Sequence, residues 1–130
     1  MSKPAIRFRL DLGPGEAVGP GKIALLEQIA ESGSLSQAAR DLKMSYKRAW
    51  QLLESLNSSF KEPLAVTATG GRRGGGATLT ELGRAVIRSY RSFDRAVQAQ
   101  AARHFRPLAP YVRRSAAPGR RAPVVRMSSR

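Results

Sequence analysis

The stretch GSLSQAARDLKMSYKRAWQLLESL, residues 33–56, encodes two amphipathic helices with only Lys43 and Met44 between them. Leu35, Ala38, Ala39 and Leu42 fall at i, i+3, i+4 and i+7, and Ala49, Leu52, Leu53 and Leu56 repeat that spacing. Each helix therefore has one apolar face. Ser34 and Gln37 stand as Ser-x-x-Gln, a capping box in which each side chain satisfies the other's free backbone N–H. Ser45 is a good N-cap for the second helix. So short a joint leaves no slack, and both apolar faces must share one core with a further element. Lys22 to Ser32 supplies it: Ile23, Leu25, Leu26, Ile29 and Ala30 recur at helical spacing, and Gly33 provides a stop.

Beyond Phe60 the period changes to that of a strand, with Leu64, Val66 and Ala68 alternating with Ala65, Thr67 and Thr69. The pattern resumes at GATLT, which predicts a β-hairpin whose tip, Gly70 to Gly76, holds five glycines with Arg72 and Arg73. From Thr80 to about Phe105 an apolar stripe of Leu82, Val86, Tyr90, Phe93, Val97, Ala101 and Phe105 predicts a helix roughly 39 Å long. That is more than a small core covers, so the distal half is expected to meet a second copy of the chain. At the other end AIRFRLD, residues 5–11, alternates like a strand with one buried face, Arg7 and Arg9 pointing outward, and GPGEAVGPG reads as a turn. The expected fold is mainly α with a small β-hairpin. Its domain spans residues 1–106, with a dimerisation helix over about 80–105. Residues 107–130, with four prolines and six arginines, are expected to be a disordered basic tail.

The formal net charge is +14, and the first 106 residues alone carry seventeen basic against nine acidic side chains. A polyanion is the natural partner. Cysteine is absent and His104 is the only histidine, so thiolate chemistry and zinc clusters are not expected. The nine carboxylates form no recognisable catalytic pair, and neither an enzyme activity nor a cofactor is expected. No run of eighteen apolar residues and no export-type segment is present, so no membrane span is expected and the location is read as cytoplasmic.

The glycine-rich tip does not fit a phosphate loop. Counted from Gly70 or Gly71, the lysine position of Gly-x-x-x-x-Gly-Lys-Ser/Thr falls on Gly76 or Ala77. A slack turn is the plain alternative, but a hairpin that follows a tight helical pair is the layout of a winged helix-turn-helix. There the tip lies on a duplex backbone or in its minor groove, glycines permit close approach and Arg72 and Arg73 supply charge. The second helix of such a pair enters the major groove. With its alanine and leucines inward, Lys47, Arg48, Gln51 and Ser55 face outward, with Ser45 and Tyr46 at the tip. Arg and Lys suit guanine, Gln suits adenine, and a serine hydroxyl suits phosphate. Trp50, at the edge of the stripe, is expected to pack against a neighbouring element, with DNA contact as the alternative.

SGSLSQAARDLKMSYKRAWQLLESLN followed by VTATGGRRGGGATLTELGRAVIRSYR resembles the DNA-binding domain of the ModE-type molybdate-responsive regulators, whose winged helix is related to that of LysR-type regulators. The resemblance covers residues 5–105 and is most specific at Ser45-Tyr46-Lys47-Arg48-Ala49-Trp50 and at the glycine-rich tip. It implies a homodimer joined through the long helix, on double-stranded DNA with a palindromic operator. Ser45, Tyr46, Lys47, Arg48 and Gln51 would address the major groove, and Arg72 and Arg73 the flanking backbone. It also brings a departure. The family's full-length regulators continue into molybdate-binding domains, whereas residues 107–130 offer nothing that forms an oxyanion pocket, so molybdate binding is not expected of this chain. The rival expectation is a DNA-architectural or interaction protein with little sequence preference.

Overall fold

The computed structural model describes residues 4–13, 16–68 and 76–113. Helix α1 (Pro20–Ser32) has proline in its first turn and ends at Gly33, whose φ of 69° lets its N–H reach the Ile29 carbonyl at 2.8 Å. Helix α2 (Leu35–Asp41) starts at Ser34, whose hydroxyl accepts the Gln37 N–H at 3.1 Å. Only that half of the capping box forms. The Gln37 amide instead donates to Asp41 at 2.8 Å and accepts from Arg40 at 2.9 Å, neighbours on its own helix face, while the Ser34 N–H is met by the Ser32 hydroxyl at 3.3 Å.

Two bonds close the joint to the next helix, Lys43 N–H to Arg40 O at 3.0 Å and Met44 N–H to Ala39 O at 2.9 Å. This is a Schellman ending, and it puts Lys43 at φ 57°. Helix α3 (Tyr46–Ser58) then leaves at an angle fixed by the turn. The three helices share one core, in which Ile23, Leu25, Leu26, Ile29 and Leu56 are fully buried.

Strands β3 (Ala65–Thr67) and β4 (Ala77–Leu79) pair antiparallel in the register Ala65 to Leu79 and Thr67 to Ala77. The wing base is tied to the corner between α1 and α2, because the Ala77 N–H donates to Gly33 O at 2.9 Å beside a bridge pairing Ser34 with Gly76. Helix α4 (Glu81–Phe105) is capped by Thr80, whose hydroxyl donates to Pro63 O at 2.7 Å and accepts the Gly83 N–H at 3.0 Å. A Cβ on Gly83 would lie 2.1 Å from the Leu64 carbonyl oxygen, so only glycine allows α4 to start this close to β3.

The predicted amino-terminal strand is corrected. Strand β1 covers only Leu10–Gly13, and its partner β2 (Glu16–Val18) lies within the stretch read as a turn. Residues 4–9 run instead along α4: the Ile6 N–H donates to the Gln98 side chain at 2.9 Å, and that amide donates back to Ile6 O at 2.7 Å. Phe8 stacks on Tyr90 at 5.0 Å and meets Phe93 edge-on at 5.3 Å. The alternation was real, but a helix, with a glutamine satisfying the backbone, takes the place of a second strand. Burial against these rings raises the Tyr90 pKa above its usual value. Arg91 pairs through two nitrogens with Glu27, joining α4 to α1. Past α4, residues Arg106–Tyr111 form a 3-10 segment, so the start of the stretch read as disordered has local structure.

Candidate nucleic-acid interface

Helix α3 divides cleanly. Ala49, Leu53 and Leu56 are buried, Leu52 is half-buried, and Tyr46, Lys47, Arg48 and Gln51 are all exposed. Among the described residues, no hydrogen bond or ion pair within the chain engages the side chains of Lys47, Arg48 or Gln51. Their polar ends are therefore available to an outside partner without breaking an internal contact. Lys47 and Gln51, four apart, form one ridge, and Arg48 flanks it.

Ser45 caps the helix, its hydroxyl accepting the Arg48 N–H at 3.0 Å. The hydroxyl proton remains able to donate to an acceptor such as a phosphate oxygen. Ser55, expected to point outward, is corrected: it accepts from the Lys22 ammonium at 2.8 Å, and the same ammonium donates to Ala17 O at 2.7 Å. Lys22 thereby links α1, β2 and α3, a role its position on the polar edge of α1 did not announce.

Asn57 fixes the other end of α3. Its side-chain oxygen accepts the N–H groups of Leu64 at 2.8 Å and Ala65 at 3.4 Å, and its amide donates to Ala65 O at 3.1 Å. One side chain thus sets the first strand of the hairpin against α3. Periodicity shows only that Asn57 follows the last buried leucine, so its bonding to a strand beyond the helix was hidden from the sequence. The strands project the hairpin from that anchor. Arg72 and Arg73, at its tip, lie outside the described residues.

The distal half of α4 and residue Ile6 line an open, apolar groove of about 380 Å³, with Phe93, Val97, His104 and Phe105 along it. Among the described residues, no three side chains of His, Asp or Glu gather to hold a metal ion, and no helix is long and apolar enough to cross a membrane.

Residues 21–84 match the family model described as bacterial regulatory helix-turn-helix protein, lysR family. The chain is 41% identical over 88 residues to the molybdenum transport protein ModE of Azotobacter vinelandii, covering 68% of this chain and 33% of that protein. It is 47% identical over 73 residues to the molybdenum-pterin-binding protein MopA of Rhodobacter capsulatus, covering 56% and 28% of the two chains. To the DNA-binding transcriptional dual regulator ModE of Escherichia coli K12 it is 46% identical over 71 residues, covering 55% and 27%. The match spans about a third or less of each relative's own length. The matched stretch holds the tight helical pair, the anchored hairpin and the start of α4, and this part of the chain is a winged helix-turn-helix domain of the LysR/ModE family, homologous to those of ModE-type and LysR-type regulators.

Proposed function

We propose that the chain is a sequence-specific, cytoplasmic DNA-binding regulator that acts as a homodimer on a palindromic operator. Helix α3 enters the major groove, Lys47, Arg48 and Gln51 address base edges, and Ser45 and Tyr46 sit at the helix tip. Arg72 and Arg73 lie on the backbone or in the minor groove beside each half-site. The apolar groove on α4 receives the same groove of a second copy, a self-complementary contact of the two-fold kind. The observation that carries this reading is the ridge on α3: exposed, cationic and amide side chains with no internal partner among the described residues, on a helix held at both ends.

The test is selection from a random duplex library with the full chain. The proposal expects an enriched palindromic motif bound about 10³-fold or more tightly than random duplex. A library that emerges without a motif, although the protein binds it, would instead support an architectural protein held by charge alone. Arg72→Ala should weaken every duplex alike and lower the salt slope by about one.

A further inference from the structure

Trp50, the only tryptophan of the chain, is 47% exposed, and Tyr46, four residues before it, is 54% exposed. Neither ring belongs to the core or to the partly buried side chains packed against it, and about half of each ring's surface is left open to solvent. Among the described residues its indole N–H has no hydrogen-bond partner within the chain. At about 100° per residue, Tyr46, Trp50 and Asn57 fall on one strip of α3, beside the ridge of Lys47 and Gln51. Asn57 is the residue bound to β3, so this strip is the wing side of the reading helix. A large aromatic surface held in water on a polar helix marks a contact surface.

The surroundings choose the partner. Lys47, three residues before Trp50, adjoins the indole, Arg48 lies further round the exposed side of the helix, and neither has an acidic partner within the chain among the described residues. A second copy of a chain with a formal charge of +14 would bring like charge onto them, whereas a duplex brings phosphates. In the major groove the apolar feature within reach of a side chain is the thymine 5-methyl group.

We propose that Trp50 is a specificity-determining residue that packs its indole against a thymine methyl, adding an apolar reading beside the polar one of Lys47, Arg48 and Gln51. This rests on the DNA-reading function proposed above. It assigns to the wing side of α3 a preference for thymine that neither arginine nor glutamine supplies.

The probe is the duplex that the wild-type full chain selects, with each thymine replaced in turn by deoxyuridine, which lacks only the methyl group. At one position per half-site the replacement should weaken wild-type binding about fourfold, the scale of one buried methyl. Trp50→Ala should bind the thymine duplex at least as weakly as that and be indifferent to the replacement, while Trp50→Phe keeps part of the discrimination. The single tryptophan also reports directly, and its emission should change on addition of the selected duplex. The inference is overturned if Trp50→Ala discriminates thymine from uracil as the wild type does, if no thymine methyl matters, or if the emission follows protein concentration and ignores DNA. In the last case the ring serves contact between copies. If the wild type selects no motif at all, the regulator reading falls as well, so the two failures are distinguishable.

Discussion

Lys43 carries the conformational strain of the helical joint. At φ 57° it holds the left-handed conformation that α2 needs to end on the Arg40 and Ala39 carbonyls, a region costing a non-glycine residue about 1–2 kcal/mol. A β-branched side chain tolerates it least. Lys43→Val should therefore lower stability by about 1–2 kcal/mol, whereas Lys43→Gly should be neutral or slightly stabilising, and thermal melts of the two variants check this. Equal losses would mean that the ammonium rather than the backbone matters. The sequence announces a two-residue joint but not which residue turns, because lysine carries no turn signal of its own. Ser34, Ser45 and Gly33, by contrast, were legible because capping depends on a local hydrogen bond that residue type and spacing specify.

Among the elements, α1 to α4 and the hairpin follow from periodicity, since burial of one face on each is what holds them. What the pattern could not carry is the bonding between elements: Lys22 to Ser55, Asn57 to β3, and Gln98 to Ile6 all join residues distant in sequence through polar atoms. The misread amino terminus shows the same limit, because alternation reveals an extended segment with one buried face but not what covers it. Asn57 is where such a bond bears on function. Asn57→Ala leaves the N–H groups of Leu64 and Ala65 without their side-chain acceptor and should cost about 1–3 kcal/mol of stability. Below the melting transition it should also loosen the wing against α3 and weaken DNA binding, while a variant at exposed Glu62 should do neither. Titration of a labelled duplex well below that transition separates the two effects, and unchanged affinity would mean that the wing is positioned by its bridge at Ser34 and Gly76 alone.

At the scale of the molecule, the two surfaces divide the work. The α3 ridge faces outward with its charges unpaired among the described residues, and the apolar groove lies along the distal half of α4. Ala96 is exposed in that groove, so Ala96→Glu should leave the fold intact and place a carboxylate at the proposed contact between copies. Sedimentation should then show a dimer for the wild type at micromolar concentration and a monomer for the variant, and a wild-type monomer would remove the α4 contact from the account. The groove was legible as surplus apolar stripe on a helix too long for its core. The wing-side strip of Tyr46 and Trp50 was not, because helical spacing places Trp50 at the border of the stripe and cannot say whether a neighbour covers it.

The claim on which the rest depends is that side chains on the α3 ridge read base edges. It is tested most directly by repeating the library selection with Arg48→Ala and Gln51→Ala beside the wild type. The account predicts that each variant still selects a motif but loses preference at its own position in the half-site, a guanine for Arg48 and an adenine for Gln51, at about 1–3 kcal/mol per lost pair. Variants that select the wild-type motif unchanged, with affinity lowered evenly at every position, would contradict it.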